Sequence, residues 1–305
     1  MSAYTSTHIS QYLDYISFPQ DIRSGPRDIN FLRTLHVHQI TTIPYENLSL
    51  HYNESHINSL DPQDLFKKFT SHGRGGYCME TAVFFKHILL GLGFKAYSAG
   101  ARIRLRSEHG VPSGPFVGWV HCTNIVTLDD GSKYSCDVGF GGDGPTAPLP
   151  MIHGATQRNL GSQEIRLVHE PFPGAAAGPL FWVYQYRNSS DAEWNTYYAF
   201  PEMEFTEMDF AMMNYWTATS ERSFQIVQVL IVAFVRGEDG KSVKGKYMLH
   251  NGKVKRNLGG KTELVVECLT EDERIQALQS YFGITLTEDQ RKAIQGHRTE
   301  LKGTA

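Results

Sequence analysis

The spacing of apolar residues changes near residue 95, and this change constrains the fold more than any other feature of the sequence. Before that point polar and apolar residues mix at the three-to-four spacing of helices, with prolines as breakers. From about residue 95 to residue 210 short alternating runs are separated by Gly, Pro and Asn-Ser clusters, which is typical of a sandwich or barrel. The last third mixes strands with two terminal helical segments. We therefore predict an α+β protein divided into residues 1–94, 95–210 and 211–305.

Length and charge narrow the class of protein. A chain of 305 residues is long enough for two or three packed subdomains. Its formal net charge of −3 gives no electrostatic reason to expect nucleic acid or an anionic membrane as a partner, so a small-molecule substrate is favoured. The longest apolar stretch, near "FQIVQVLIVAFV", is too short to span a bilayer, and the first twenty residues do not resemble a secretory signal. We predict a cytoplasmic protein whose four cysteines are thiols.

Cys78 lies between a cluster of glycines and an apolar run, in "HGRGGYCMETAVFFKHILLGLGF" (residues 72–94). The glycines allow sharp turns, so we predict that Cys78 begins a helix, where unpaired backbone N–H groups favour a thiolate and can cradle an oxyanion. This stretch alone favours a packed thiol, because free cysteine is commonly buried. A nucleophile also needs a base, and the base needs a group that orients it.

The segment "GWVHCTNIVTLDDGSKYSCDVGFGG", residues 118–142, is predicted to be a β-hairpin that supplies both groups. A three-residue turn at 129–131, with glycine in the left-handed position, pairs Thr123 with Asp137. His121 and Asp137 then lie on one face within side-chain reach. A two-residue Asp-Gly turn would place them on opposite faces, so the inference depends on the register.

The same alternation predicts that Cys122 and Cys136 lie on the opposite face of the hairpin. This weighs against a metal site built from these cysteines with Cys78 and His121, and the sequence has no CxxC or HExxH spacing. We therefore predict no metal. A histidine beside an aspartate is more often a structural pair, but its occurrence together with a cysteine at a helix start favours a Cys-His-Asp catalytic group.

Several motifs together resemble one known family. They are "RGGYCME" (74–80), "HCTNIV" (121–126), "DVGFGG" (137–142), "IPYENLSLH" (43–51), "MDFAMMNYWTATSERSF" (208–224), "NGKVKR" (251–256), "GGKTE" (259–263) and "FGITLTEDQ" (282–290). In this order and spacing they resemble the arylamine N-acetyltransferase family, and they are most similar to a fungal-type member of it. The resemblance implies an N-terminal helical bundle, a central β-barrel and a C-terminal α/β lid, the first two related to papain-like cysteine enzymes.

The resemblance also implies the chemistry of the site. It implies a catalytic triad of Cys78, His121 and Asp137, which transfers an acyl group by a ping-pong reaction through a Cys78 thioester. The donor is acetyl-CoA or another acyl-CoA, and the acceptor is an aromatic amine or hydrazine. No metal, nucleic acid or membrane takes part.

Further binding residues follow from the resemblance. Coenzyme A contacts are expected at Gly118, in the Gly- and Pro-rich segment 107–118, and at Thr219 and Ser223. Phe140 is expected to contact the acceptor. The alternatives are a long surface loop over residues 107–118, a solvated turn around Thr219, and an edge packing role for Phe140.

Two other activities remain open at this point. A Cys-His-Asp site could equally hydrolyse amides, as in a papain- or transglutaminase-like thiol hydrolase. Some fungal relatives prefer malonyl-CoA, and Arg102, Arg104 and Arg106 could meet its second carboxylate, although alternating arginines are more often the solvated face of a strand. A degenerate member that only binds its ligands is disfavoured by the intact triad.

Overall fold

The structure, a computed structural model, describes residues 1–107, 110–175 and 178–303. Its first part contains four helices and one short strand. These are α1 (Ser6–Tyr15), α2 (Ile29–Thr42), β1 (Tyr45–Glu46), α3 (Pro62–Thr70) and α4 (Cys78–Gly91). Helix α3 begins as its sequence predicts, because Asp61 accepts hydrogen bonds from the backbone N–H groups of Gln63 and Asp64 and Pro62 occupies the first helical position. Helix α4 is buried on nearly every face and forms the centre of this part.

Eight antiparallel strands form the middle part. They are β2 (Lys95–Arg106), β3 (Pro112–Thr127), β4 (Lys133–Cys136), β5 (Leu149–Pro150), β6 (Thr156–Arg158), β7 (Glu164–Pro171), β8 (Leu180–Arg187) and β9 (Asn195–Phe200), in the order β5-β4-β3-β2-β9-β8-β7-β6. The chain after β5 returns to β7, where the Gly154 N–H donates to the Leu167 carbonyl at 2.8 Å. The sheet is therefore a nearly closed barrel.

The segment over residues 107–118 is mostly strand rather than the long loop that its composition indicates. Strand β3 begins at Pro112 and pairs with β2 as far as Arg106. Strand β4 pairs with residues 124–127 of β3, so the earlier half of β3 forms an edge, where proline is tolerated. Glu108 and His109 of this segment lie outside the described residues.

The last part mixes helices with a second antiparallel sheet. Its elements are α5 (Glu207–Thr219), β10 (Leu230–Arg236), β11 (Val243–His250), β12 (Lys253–Asn257), β13 (Glu263–Glu267), α6 (Glu271–Phe282) and α7 (Glu288–Ala293). The sheet order is β1-β10-β11-β12-β13, so one strand comes from the helical part of the chain. The predicted α+β architecture of helices, barrel and α/β part is confirmed. The boundaries after residues 94 and 210 stay a prediction.

One hydrophobic core joins the helices to the barrel. It contains residues from α1 to α4 together with Cys122, Val126 and Cys136 of the β3–β4 hairpin. The hairpin therefore packs directly on α4, and this contact brings the predicted base to the predicted nucleophile. Within the described residues, no helix is both long enough and apolar enough to cross a membrane.

Candidate active site

Cys78 is the first residue of helix α4, as its glycine-rich flank predicts. Gly75 allows this turn to approach the chain ahead of β1 closely, because a Cβ at that position would lie only 1.9 Å from the carbonyl oxygen of Pro44. The backbone N–H groups in the first turn of a helix have no partner within the helix, and they favour negative charge near them. The Cys78 sulfur therefore lies where a thiolate is favoured.

A buried network of charges holds this turn in place. Arg74 donates from Nε and Nη2 to the two carboxylate oxygens of Glu46, at 3.1 and 3.2 Å. Glu80 accepts from the backbone N–H of Tyr77 at 3.1 Å and from Lys68 Nζ at 2.6 Å. Breaking such a buried pair is costly, which makes the turn rigid.

The register of the β3–β4 hairpin is the one predicted for a three-residue turn. Leu128 N–H donates to the Ser132 carbonyl at 2.9 Å, and Gly131 has a positive φ of 85°. His121 and Asp137 therefore meet on one face. His121 Nε2 lies 2.7 Å from Asp137 Oδ2, and both side chains are buried. His121 Nδ1 is then the ring nitrogen available to Cys78.

Gly139 allows the chain after Asp137 to approach the start of α4. The Gly139 N–H donates to Asp137 Oδ1 at 3.0 Å. A Cβ on Gly139 would lie 2.3 Å from Thr81 Oγ1 and 2.8 Å from Cys78 Cα, so any side chain here would push the two segments apart. This glycine keeps the carboxylate, the imidazole and the thiol in one compact group.

Cys122 contacts Cys78, although it lies on the face of the hairpin opposite to His121 as predicted. Its thiol donates to the Cys78 carbonyl at 3.5 Å, while the Cys78 thiol reaches the Val120 carbonyl at 3.5 Å. The predicted alternation itself holds, because Cys122 packs in the helical core and His121 packs on Phe140 of the barrel. Cys78 lies across β3, so it meets residues from both faces of the strand.

These neighbours lower the pKa of Cys78 and raise the pKa of His121, and both shifts favour an ion pair. Hydrogen bonding by the Cys122 side chain is the largest cause that lowers the pKa of Cys78 to about 6. Burial opposes this shift, and the hydrogen bond and charge of His121 add to it. Burial lowers the pKa of His121, but the charge and hydrogen bond of Asp137 and the contact with Cys78 outweigh it and raise that pKa to about 10. Between these values the pair carries a thiolate and an imidazolium.

The pH dependence of Cys78 alkylation should follow these shifts. Because the thiolate is the nucleophile, we expect the rate of reaction with iodoacetamide to rise through pH about 6 and to level off below neutrality. Cys122→Ala should move this midpoint upward, since it removes the largest lowering contribution. Cys136→Ala is the matched control and should leave the midpoint unchanged. A wild-type midpoint near about 8.5, the value of a free thiol, would contradict the ion pair.

An open cleft of about 970 Å³ lies beside Cys78 and His121. Cys78, His121 and Phe140 line it, together with residues of β10, β11 and β12. The half-buried Phe140 ring lies 4.9 Å from the His121 ring and 4.5 Å from Tyr197, measured between centroids. Phe140 is therefore placed where an acceptor beside Cys78 would meet it, and its role stays a prediction.

None of the three predicted coenzyme contacts is among the described residues that line the cleft. Gly118 is exposed on the edge part of β3. Thr219 is the last residue of α5, and its hydroxyl donates to the Tyr215 carbonyl at 2.7 Å. Ser223 is buried and accepts from the Gln225 N–H at 3.3 Å, while Gln225 itself lines the cleft. Their contacts with coenzyme A stay predictions.

Several residues of the site were not found from the sequence. Tyr198 packs its ring 5.2 Å from His121, on strand β9. Lys246 and Asp143 lie in the cleft, joined by an ion pair of 3.3 Å between β11 and the segment after Asp137. Asp143 directly follows the glycines of "DVGFGG", which is a usable signal; Lys246 carries none. Among the described residues, no group of three or more His, Cys, Asp or Glu side chains is arranged to hold a metal ion.

Known proteins are similar to this chain in sequence and in fold. A family model described as N-acetyltransferase matches residues 28–291. The N-malonyltransferase FDB2 of Fusarium pseudograminearum is 29% identical to the chain over 322 residues, covering 97% of this chain and 93% of the relative.

Two solved structures have the same architecture. The arylamine N-acetyltransferase of Salmonella typhimurium superimposes with a TM-score of 0.78 at 27% identity, covering 95% of this chain and 98% of that one. The arylamine N-acetyltransferase of Mycobacterium marinum, solved in complex with CoA, gives a TM-score of 0.78 at 22% identity and covers 96% and 98% of the two chains. The second likeness concerns the fold alone.

Proposed function

The chain belongs to the arylamine N-acetyltransferase family and is an acyltransferase, and we propose that it moves an acyl group from acyl-CoA to an aromatic amine or hydrazine through a thioester on Cys78. The observation that carries this proposal is the position of Cys78 at the start of α4, against a His121 whose other ring nitrogen lies 2.7 Å from Asp137. This is the arrangement of an activated nucleophile, its base and the group that orients the base.

In the first half-reaction the Cys78 thiolate attacks the thioester carbonyl. The backbone N–H groups at the start of α4 are the donors for the resulting oxyanion. The leaving sulfur takes the proton that His121 holds, and the acyl group stays on Cys78. One thioester replaces another, so the step is close to isoenergetic and needs no further energy source.

In the second half-reaction the amine attacks the acyl group on Cys78. His121, now neutral, accepts the proton of the amine, and Cys78 leaves as a thiolate. Asp137 keeps Nδ1 of the imidazole turned toward the reacting atoms and stabilises its positive charge in both halves. Phe140 lies beside His121 and would pack against the ring of an aromatic acceptor.

The cleft fits a large anionic donor. Its volume of about 970 Å³ is at the upper end of ligand sites. Four cationic side chains line it, Arg104, Arg106, Lys246 and Lys255, against the carboxylate of Asp143. In a chain with a net charge of −3, this local excess of positive charge suits the phosphates of an acyl-CoA.

Separating the two half-reactions tests the proposal. With acetyl-CoA alone, we expect release of about one CoA per enzyme and a matching mass increase at Cys78, because the acyl group then waits for an acceptor. Adding an arylamine should remove that mass and start continuous release. Steady CoA release without any amine would instead indicate a thiol hydrolase, and no adduct on Cys78 with any donor would contradict the mechanism.

A second candidate is transfer of a malonyl group. The relative from Fusarium is an N-malonyltransferase and matches almost the whole chain, although the identity is only 29%. Repeating the mass measurement with equal concentrations of acetyl-, propionyl- and malonyl-CoA identifies the preferred donor. The family and the reaction type are common to both candidates.

A further inference from the structure

A second charged cluster lies in the cleft, apart from Cys78, His121 and Asp137. Arg106 Nη2 forms an ion pair with Asp143 Oδ2, and Lys246 Nζ lies 3.3 Å from Asp143 Oδ1. Among the described residues that line the cleft, Asp143 is the only acidic one. Two cations therefore share one carboxylate, and the cluster carries an excess positive charge.

The cluster is one aromatic layer away from the catalytic histidine. Arg106 Nε donates to the Tyr197 hydroxyl at 2.7 Å. The centroid of the Tyr197 ring lies 4.5 Å from that of Phe140, and the centroid of Phe140 lies 4.9 Å from that of His121. A group bound at Arg106 and Lys246 would thus belong to a molecule whose reacting end lies near Cys78.

Glycines leave room between Phe140 and the cluster. A Cβ on Gly142 would stand 3.7 Å from Lys246 Nζ and 3.7 Å from Met248 Sδ, so a larger residue would fill the approach to the ammonium group. Gly141 has a φ of +88°, a conformation that other residues rarely adopt. The Gly142 carbonyl accepts a hydrogen bond from Lys246 Nζ, so the backbone here helps to hold the ammonium group.

The positive charge of the cluster is partly shielded from solvent. Only 7% of the Lys246 side chain is exposed, and burial together with the charge of Arg106 lowers the pKa of Lys246 to about 8. A buried cation is costly unless an anion compensates it. An anionic group of the ligand would provide the missing charge and keep Lys246 protonated.

We propose that Arg106 and Lys246 recognise a carboxylate carried by one of the two substrates, with Asp143 holding the two cations in place. The inference rests on the proposed acyl transfer and adds the substrate class. Arg106 uses three of its five N–H groups for Tyr197, Asp143 and the Gly110 carbonyl. Lys246 uses two of its three for Asp143 and the Gly142 carbonyl. The remaining charged donors favour a carboxylate over a neutral group of the same size. The carboxylate belongs either to the acyl group of the donor or to the ring of the acceptor.

Two pairs of matched substrates distinguish these sources. The donor arm compares malonyl-CoA with propionyl-CoA, using 4-methylaniline as the acceptor. The acceptor arm compares 4-aminobenzoate with 4-aminobenzamide, using acetyl-CoA as the donor. In one of the two arms the wild type should have the higher kcat/KM for the substrate that carries the carboxylate. Lys246→Met should lower the ratio of kcat/KM for the carboxylate substrate to kcat/KM for its neutral counterpart roughly 10- to 100-fold.

Two further variants make the result specific. Asp143→Asn should raise the same ratio, because asparagine keeps a hydrogen-bond acceptor for the two cations but removes the negative charge that competes with the ligand. Lys244→Met is the matched control: it makes the same change on the same strand, but Lys244 is half-exposed and pairs with Glu238 at 3.7 Å on the surface, so the ratio should stay within about twofold. If the cluster only joined β2 to β11, Lys246→Met would change kcat/KM for the charged and the neutral substrates by the same factor.

The outcomes separate the inference from the proposed function. If turnover occurs but Lys246→Met leaves both ratios unchanged, the carboxylate site is wrong and acyl transfer stands. If no pair of substrates turns over, the proposed function fails. Calorimetry then gives the ratio of dissociation constants for the same substrate pairs, and the effect of Lys246→Met on that ratio tests the carboxylate site by itself. Melting temperatures of the variants exclude misfolding as the cause of a loss.

Discussion

Cys78→Ala is expected to abolish both the acyl-enzyme and acyl transfer, with a loss of at least about 10³-fold in kcat/KM. The variant keeps the buried turn, since Arg74 and Glu46 are untouched, but removes the atom that would hold the acyl group. Cys122 is not expected to replace it, because burial, the largest cause that raises the pKa of its thiol, is unchanged in this variant. Intact mass after incubation with acyl-CoA and continuous detection of released CoA are the two measurements.

Cys136→Ala is the matched control for this loss. Cys136 is also a buried free thiol, and it packs in the same hydrophobic core as Cys78. Burial raises its pKa, which makes it a poor nucleophile at neutral pH. The control should therefore keep its acyl adduct and its activity, and lose a similar amount of stability. An adduct that survives in Cys78→Ala would show that another residue accepts the acyl group.

The layout of the fold follows from local patterns, and so could be predicted. The switch from helical to alternating spacing near Lys95 coincides with the start of β2, and the capping residues Asp61 and Pro62 predict the start of α3. Helix α5 and strand β9 have weaker local signals. Helix α5 carries exposed Met208, Met212 and Tyr215, so its apolar pattern does not mark one buried face.

Connections between distant segments are what the sequence does not reveal. Strand β1 has only two residues, and it joins the second sheet by pairing Tyr45 with Val232. A strand of this length has no periodicity to read, and its partner lies far along the chain. The same reason hides the association of Lys246 with Asp143.

In the candidate active site, the hairpin could be predicted because one local turn determines its register. Once Gly131 is assigned to the third position of the turn, the alternation of β3 and β4 places His121 beside Asp137. The contact of Cys122 with Cys78 could not be predicted in this way, because it depends on how α4 crosses the strand. Alternation along a strand describes the directions of its side chains, but not which of them a helix end can reach.

The arginines of β2 show the same limit. Their alternate spacing suggests a common face, but β2 contains register shifts around Arg102 and Arg104. Arg102 stacks on Trp119 at 4.4 Å, whereas Arg106 reaches Asp143 in the cleft. Bulges in a strand therefore redirect side chains that an ideal alternation would keep together.

Asp137→Asn is expected to lower kcat/KM by about 10³- to 10⁴-fold while the protein stays folded. The charge and hydrogen bond of Asp137 raise the pKa of His121 against the effect of burial. An asparagine of the same shape cannot supply that charge, so the imidazolium becomes unfavourable and the Cys78 thiolate loses its counterion. Steady-state kinetics should show the loss, and the pH midpoint of Cys78 alkylation should move upward.

Asp129→Asn provides the same chemical change on the turn of the same hairpin. The Asp129 side chain is 96% exposed and forms only a surface pair with Lys95 at 3.8 Å, so kinetics and midpoint should match the wild type. If Asp137→Asn retained activity within about tenfold and an unmoved midpoint, the carboxylate would be a structural partner of His121. The imidazole would then be oriented by its packing against Phe140 and Tyr198, whose rings lie 4.9 and 5.2 Å from it.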